Sequence, residues 1–190
     1  MKCLLCESFS LSHICFSCQT LYLTPQIYKR KIENIDVISF YKYSDIKELL
    51  HTKHTDLGYY IFTILAQNSF KKFAENFTYP KSISSIGIDE NIRSGYSHTA
   101  ILNKALKSKY IKPEFNRLKA KNDISYSGKD RAFRFENSRD FQFKTIKNRE
   151  IILIDDIITT GSTLQQAIQT ITQKNKDILF CLTLADASLK

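Results

Sequence analysis

The 190-residue sequence lacks any apolar run close to the roughly 18–20 residues that a membrane-spanning helix requires. It also lacks internal repeats, low-complexity tracts and lipidation signals. The apolar stretch that follows Met1 is broken at Glu7 and is too short for the core of a secretory signal. We therefore expect a cytoplasmic protein with no membrane span, long enough for one sizeable core and a small appendage.

Only one of the five cysteines lies beyond the first eighteen residues. The other four form the pairs Cys3-x2-Cys6 and Cys15-x2-Cys18. Two such pairs have the spacing of a tetrahedral thiolate zinc site. Two disulfides are the alternative, although a reducing compartment would keep the thiols free for metal. The sequence thus predicts a structural Zn²⁺ finger over residues 1–24, whose four ligands leave no open position for substrate.

The most informative stretch lies near the other end, where Ile151-Ile152-Leu153-Ile154 is followed directly by Asp155 and Asp156. Four branched apolar residues in a row predict a strand buried on both faces, which is typical of the middle of a parallel sheet. Small residues follow, in the order Thr159-Thr160-Gly161-Ser162-Thr163, and a helical pattern begins at Thr163.

A loop between the carboxyl end of a strand and the amino end of a helix is the usual ligand position in an open α/β sheet. The free amides at the start of such a helix suit a phosphate. Adjacent Asp155 and Asp156 supply paired acceptors for a sugar diol or for a magnesium-bound ligand. A buried strand that ends in an ordinary polar turn is the alternative interpretation.

Short apolar strands alternate with helices along the rest of the chain. The sequence predicts strands over Ile35–Tyr43, Ile83–Ile88 and Ile178–Leu184, the last of which holds Cys181 as a small core residue. It predicts helices that begin near Ser44 or Asp45, after Gly58 and at Tyr96, the last ending near Lys109. This alternation predicts an α/β fold with a parallel sheet.

The net charge of +9 is concentrated in residues 104–150, the basic segment, which holds 14 Lys/Arg and 6 Asp/Glu. Aromatic residues are interleaved with these cations, as in proteins that bind single-stranded nucleic acid. A solvated face with ordinary core aromatics and a funnel for a small anionic substrate are the alternatives. The candidate nucleic-acid contacts are Lys119, Lys121, Lys129, Arg131 and Arg134.

The string from Ile151 to Thr163 resembles, position for position, the phosphoribosyl-diphosphate (PRPP) signature of the type I phosphoribosyltransferases. The resemblance implies that Asp155 and Asp156 take the ribose hydroxyls of PRPP. It also implies that the loop Thr159–Thr163 wraps the 5′-phosphate.

Taken over the whole chain, the four-cysteine knuckle, the α/β region and this signature resemble the ComF (ComFC) competence-protein family. The resemblance implies a type I phosphoribosyltransferase-like domain over residues 35–190, with Lys53 on the diphosphate side of its ligand. It further implies a cytoplasmic protein of natural transformation. Its implied partners are PRPP with Mg²⁺, single-stranded DNA, and other competence or DNA-translocation proteins.

Two functions stay open at this point. The first is a PRPP-binding protein that handles incoming single-stranded DNA. The second is a working phosphoribosyltransferase in which Asp155, Asp156 and Lys53 are catalytic, with Mg²⁺ and Lys53 stabilising the departing diphosphate. Because no acceptor pocket is evident, and only His54 and His98 are candidate general bases, the sequence favours the first. A purely structural adaptor is a third possibility.

Overall fold

The computed structural model describes residues 1–89, 95–121 and 140–189, and within them seven strands form one mixed sheet. The strands are β1 Tyr28–Ile32, β2 Ile35–Lys42, β3 Ile83–Asp89, β4 Ile111–Ala120, β5 Phe141–Phe143, β6 Glu150–Ile158 and β7 Asp177–Asp186. Their spatial order is β1-β2-β7-β6-β3-β4-β5. The five inner strands run parallel, whereas β1 and β5 pair antiparallel at the two edges. The predicted α/β class with a parallel sheet is confirmed.

Helices cover both faces of this sheet. Among the described residues they are α1 Phe16–Tyr22, α2 Tyr43–His51, α3 Asp56–Ala66, α4 Lys72–Asn76, α5 His98–Ala105 and α6 Ser162–Thr172. A 3₁₀ turn, Thr52–His54, joins α2 to α3, and a π turn, Gln67–Lys71, joins α3 to α4. Helices α2, α3 and α5 pack on one face together with the N-terminal cysteine region, and α6 packs on the other. None of the helices in the described ranges is long and apolar enough to cross a bilayer.

Strand β6 lies near the middle of the sheet and carries the apolar run as predicted. Ile152 and Ile154 contribute to the core on the side of α3 and α5, while Ile151 and Leu153 contribute to the core on the side of α6. All four side chains are fully buried. The strand continues past the acidic pair and ends at Ile158, because its backbone stays paired with β7 up to that residue.

The topology creates a crevice at the carboxyl ends of β3 and β6. These strands are neighbours, but β3 leads through α5 to β4 on one side, and β6 leads through α6 to β7 on the other. Because α5 and α6 also lie on opposite faces, the two connections diverge between the strand ends. Such a switch point is where open α/β sheets bind their ligands.

Several elements differ in extent from the sequence prediction. The helix predicted after Gly58 is interrupted by the π turn, and its aromatic residues Phe62 and Phe70 are fully buried in the core. The helix predicted to start at Tyr96 begins at His98, because the Ser97 hydroxyl accepts a hydrogen bond from the Ala100 amide at 3.1 Å and caps it.

Strands β1, β4 and β5 were not predicted. Strand β4 lies inside the basic segment, and its charged residues and Pro113 hide the apolar pattern that a buried strand normally shows. Leu118 and Phe141 from β4 and β5 are nevertheless buried against the α6 side of the sheet. Part of the basic segment is therefore ordinary sheet structure. Cys181, predicted as a core residue, is fully buried in β7.

Candidate functional site

The acidic pair lies on β6 at the crevice, and both carboxylates are buried. Asp155 is 7% exposed and Asp156 is 6% exposed. Because consecutive residues of a strand point to opposite faces, Asp156 lies on the side of α3 and α5, and Asp155 lies on the side of α6. Burial, with a contribution from the charge of Asp155, raises the pKa of Cys181 to about 12. Two buried carboxylates at one strand end need a compensating interaction.

For Asp156 that interaction comes from a lysine and a histidine side chain. Lys53 Nζ lies 3.2 Å from Asp156 Oδ2, and His98 Nε2 lies 3.3 Å from the same oxygen. The Ile157 amide donates to Asp156 Oδ1 at 2.8 Å. Burial alone would raise the pKa of Asp156, but Lys53, His98 and the Ile157 amide together hold it below its usual range. Asp156 is therefore an anionic acceptor at neutral pH.

The turn that carries Lys53 is fixed by Tyr96, a residue whose role the sequence did not reveal. The Tyr96 hydroxyl donates to the carbonyl oxygen of Lys53 at 2.7 Å. Gly58 packs against the same turn so closely that a Cβ there would collide with the carbonyl oxygen of Thr52 and with the Tyr96 hydroxyl. The position of the lysine thus depends on a tyrosine that precedes α5 and on a glycine in α3.

Beyond β6, the small-residue loop Thr159–Thr163 turns the chain into α6. Gly161 has φ +86°, in the left-handed region, and it precedes Ser162, the first residue of the helix. The helix starts one residue earlier than predicted. The hydroxyls of Thr160 and Ser162 lie 2.9 Å apart. The first amides of a helix have no partner within it, so the loop and helix start present donors suited to an anion.

The four N-terminal cysteines converge on one point. Their Sγ atoms all lie within 4.8 Å of one another, and those of Cys6 and Cys15 are 3.7 Å apart. A tetrahedral site with metal–sulfur bonds of about 2.3 Å separates its sulfurs by roughly 3.8 Å, so the cluster fits such a metal. No disulfide joins the five cysteines, all of which lie within the described residues.

Backbone amides support the thiolate form of Cys3. The Cys15 amide donates to Cys3 Sγ at 3.3 Å and the Leu5 amide at 3.5 Å. These bonds, led by that from Cys15, lower the pKa of Cys3 to about 6. A thiolate is the form of cysteine that binds metal.

The cysteine region is attached to the sheet domain through buried contacts. Ile14 and Leu23 are buried in the core on the side of α3. The Tyr41 hydroxyl donates to the carbonyl oxygen of Leu23 at 2.8 Å, and Asn68 donates to the side chain of Gln19 at 2.9 Å. The cysteine region therefore packs as part of the core.

Comparison with known proteins assigns the chain to a family. The sequence profile of the PRTase-CE family, a phosphoribosyltransferase-type family, matches residues 26–188. The chain belongs to the PRTase-CE family. No curated protein matches it.

Solved structures similar to this PRTase-CE chain include phosphoribosyltransferases. A hypoxanthine phosphoribosyltransferase from Staphylococcus aureus is 18% identical, with 66% of this chain and 62% of that chain covered and a TM-score of 0.40. The hypoxanthine phosphoribosyltransferase from Trypanosoma cruzi is 16% identical over 66% of this chain and 67% of that chain, with a TM-score of 0.42. The UMP synthase of Leishmania donovani is 12% identical, with 66% of this chain and 22% of that chain covered and a TM-score of 0.39. The PRTase-CE chain thus spans less than two thirds of the length of the Staphylococcus enzyme.

The PRTase-CE structure brings some of the predicted residues together. Lys53 and His98, the latter weighed as a general base, both contact Asp156 although they come from distant parts of the sequence. The small-residue loop follows the same strand. The sequence offered no sign that His98 would contact the acidic pair.

The candidate nucleic-acid contacts are described only in part. Lys119 is exposed near the carboxyl end of β4, which lies at the same edge of the parallel sheet as the acidic pair. Lys121 is exposed and forms an ion pair with Asp140 at 3.0 Å. Lys129, Arg131 and Arg134 lie outside the described residues.

Proposed function

We propose that this chain binds PRPP in the crevice at the carboxyl ends of β3 and β6. The observation that carries the proposal is the buried pair Asp155 and Asp156, held on the strand that leads through a left-handed glycine into α6. Membership of a phosphoribosyltransferase-type family supports it.

Each part of the ligand has a chemically suited partner. The carboxylates of Asp155 and Asp156 would accept hydrogen bonds from the ribose hydroxyls. The small-residue loop Thr159–Thr163, with Thr160, Gly161 and Ser162 between its ends, would take the 5′-phosphate at the amino end of α6. Lys53 would lie on the diphosphate side, and Mg²⁺, a cation that prefers oxygen ligands, would offset the diphosphate charge when bound.

The experiment is a thermal unfolding series with PRPP and Mg²⁺. A ligand that binds only the folded state stabilises it by about 2.7 kcal/mol at a concentration of a hundred times its dissociation constant. We expect the melting temperature to rise with PRPP concentration in the presence of Mg²⁺. An unchanged melting temperature at millimolar PRPP would contradict the proposed PRPP site.

The finer part of the proposal concerns single-stranded DNA. We infer that the chain acts in the cytoplasm on incoming DNA during natural transformation, with other competence or DNA-translocation proteins as partners. The resemblance to the ComF family and the excess charge of the basic segment support this role. The alternative is an active phosphoribosyltransferase with an unidentified acceptor, in which Asp155, Asp156 and Lys53 would be catalytic.

DNA binding of this kind should depend strongly on salt. We expect the anisotropy of a labelled single-stranded oligonucleotide to rise on addition of protein, with an affinity that falls as salt increases, because phosphate contacts release counterions. The double variant Lys119→Gln with Lys121→Gln should flatten the slope of log K against log salt by about 1 for each lysine that contacts a phosphate. Lys112→Gln, at the opposite end of β4, is the control. Flat anisotropy at low salt would contradict DNA binding and favour the enzyme.

We further propose that Cys3, Cys6, Cys15 and Cys18 hold one structural Zn²⁺, and that residues 1–24 form a zinc finger beside a phosphoribosyltransferase-like domain over 35–190. Mass spectrometry under native conditions should find one zinc per chain in the unchanged protein and none in Cys3→Ser. Cys181→Ala, which removes the buried cysteine of β7, should keep the metal. Zinc that persists in Cys3→Ser, or its absence from the unchanged protein, would contradict the site.

A further inference from the structure

The edge strand β1 reaches the small-residue loop with its inward-facing side chains. Along β1, Arg30 and Ile32 are half-buried, whereas Lys29 and Lys31 are exposed. This alternation follows from the two-residue period of a strand. Arg30 and Ile32 therefore share one face, and both contact the region where β6 leads into α6.

Arg30 contacts the start of the loop and the end of β7 at once. Its Nη2 donates to the carbonyl oxygen of Thr159 at 2.7 Å, and its Nη1 donates to the hydroxyl of Ser188 at 3.1 Å. Its Nε lies 3.4 Å from Asp186 Oδ2. The two Nη atoms thus donate to protein oxygens, and Nε lies in an ion pair without a hydrogen bond, so the guanidinium joins the loop to the end of β7.

Asp186, the anionic partner of Arg30, is itself fixed. It is 2% exposed, and its Oδ1 accepts hydrogen bonds from the amide of Ser188 at 2.8 Å and from its hydroxyl at 2.7 Å. A planar guanidinium held on a fixed carboxylate has a defined direction. The buried carboxylate of Asp186 therefore orients the hydrogen bond from Arg30 to the Thr159 carbonyl oxygen.

Two further contacts join the hairpin formed by β1 and β2 to the small-residue loop and to α6. A Cβ added to Gly161 would lie 2.7 Å from Ile32 Cδ1, so the hairpin packs directly against the left-handed turn of the loop. Glu33, which follows β1 and has φ 52°, accepts a hydrogen bond from Gln165 of α6 at 2.9 Å. The hairpin thus contacts the beginning of the loop, its glycine and the first turns of the helix.

We infer that Arg30 is a positioning residue for the small-residue loop, and that the β1–β2 hairpin holds this loop in the form that receives a phosphate. An anion site needs amide hydrogens toward the ligand and carbonyl oxygens away from it. Arg30 binds the Thr159 carbonyl and so keeps that oxygen turned from the anion. The inference rests on the proposed PRPP site and adds a residue to it.

The test measures two ligands by calorimetry in the presence of Mg²⁺, ribose 5-phosphate for the loop and inorganic pyrophosphate for the Lys53 side. Arg30→Met alone would leave Asp186 buried without its cation, which destabilises a fold. The double variant Arg30→Met with Asp186→Asn removes both charges and is therefore the main sample. Lys31→Met, on the outward face of the same strand, is the control.

We expect the double variant to bind ribose 5-phosphate about tenfold to a hundredfold more weakly, as misplacement of a binding group commonly does. Its affinity for pyrophosphate should stay unchanged, and Lys31→Met should bind both ligands as the unchanged protein does. Equal weakening of both ligands, or no weakening of ribose 5-phosphate, would overturn the positioning role. An unchanged protein that binds neither ligand would instead overturn the proposed function, and this inference with it.

Discussion

Replacing Asp155 and Asp156 together by asparagine is expected to abolish the stabilisation that PRPP and Mg²⁺ give to the unchanged protein. Asparagine keeps the size of the side chain but loses its charge and one acceptor oxygen. Hydrogen bonds to a charged group contribute about 1.5–3 kcal/mol each, so losing two should weaken binding by about a hundredfold or more. The measurement is the melting temperature as a function of PRPP concentration.

Two variants make this result specific. Asp177 lies at the amino end of β7 and pairs with Arg149 at 2.7 Å on the surface. The variant Asp177→Asn should therefore keep the full PRPP response. Asp155→Asn alone leaves the contacts of Asp156 with Lys53 and His98 intact. A weaker PRPP response in this single variant would therefore reflect lost ligand binding and not a lost fold. A double variant that folds and responds to PRPP as the unchanged protein does would contradict the ribose-binding role.

Replacing Lys53 by methionine is expected to lower the free energy of unfolding at pH 7 by about 2–3 kcal/mol. Removal of one partner from a buried ion pair typically costs about 3–5 kcal/mol because the remaining charge is left uncompensated. The expected value is smaller, since Lys53 is 24% exposed and His98 stays beside Asp156. Urea unfolding monitored by circular dichroism measures the change.

The same variant should reverse the contribution of Asp156 to the pH dependence of stability. In the unchanged protein the pKa of Asp156 is below its usual range, so its stabilisation is present above about pH 4 and is lost as the pH falls further. Loss of Lys53 removes the leading interaction that opposes burial, so we expect the pKa of Asp156 to rise and protonation to relieve the buried charge. The stability deficit of Lys53→Met should therefore shrink as the pH falls from 7 toward 4.

Lys81→Met is the matched control for this prediction. Lys81 also pairs with a carboxylate, Glu150 at 2.9 Å, but its side chain is 66% exposed. Exposed pairs contribute about 0–1 kcal/mol, so this variant should change stability little at any pH. A deficit for Lys53→Met that is negligible, or that stays constant from pH 7 to pH 4, would show that the ion pair does not hold Asp156.

The fold was predictable where apolar patterns are unbroken. The run from Ile151 to Ile154 predicted a central buried strand because four branched apolar residues in a row are typical of the middle of a parallel sheet. The strands at the two edges, and β4 next to one of them, were not predictable in this way. In β4, Pro113 and the surrounding charges are compatible with a strand only because one face meets the core at Leu118. The contact of Leu118 with the core depends on the tertiary structure and cannot be predicted from the local sequence.

The candidate site was predictable in its local parts alone. The acidic pair and the small-residue loop are contiguous in the sequence, so their order predicts the site. The convergence of Lys53 and His98 on Asp156 depends on the order of the strands, which brings residues 103 and 58 positions away from Asp156 within 3.3 Å of its carboxylate. The role of Arg30 was not predictable, since an arginine inside the basic run Lys29-Arg30-Lys31 is usually solvated.

The central claim is that a sugar phosphate binds between the acidic pair and the small-residue loop. Diffraction from crystals of the protein soaked with PRPP and Mg²⁺ tests it most directly. The account predicts ligand density with the ribose hydroxyls against Asp155 and Asp156 and the 5′-phosphate on the loop Thr159–Thr163. Well-ordered crystals in which that crevice stays empty, or is filled by the protein's own side chains, would contradict it.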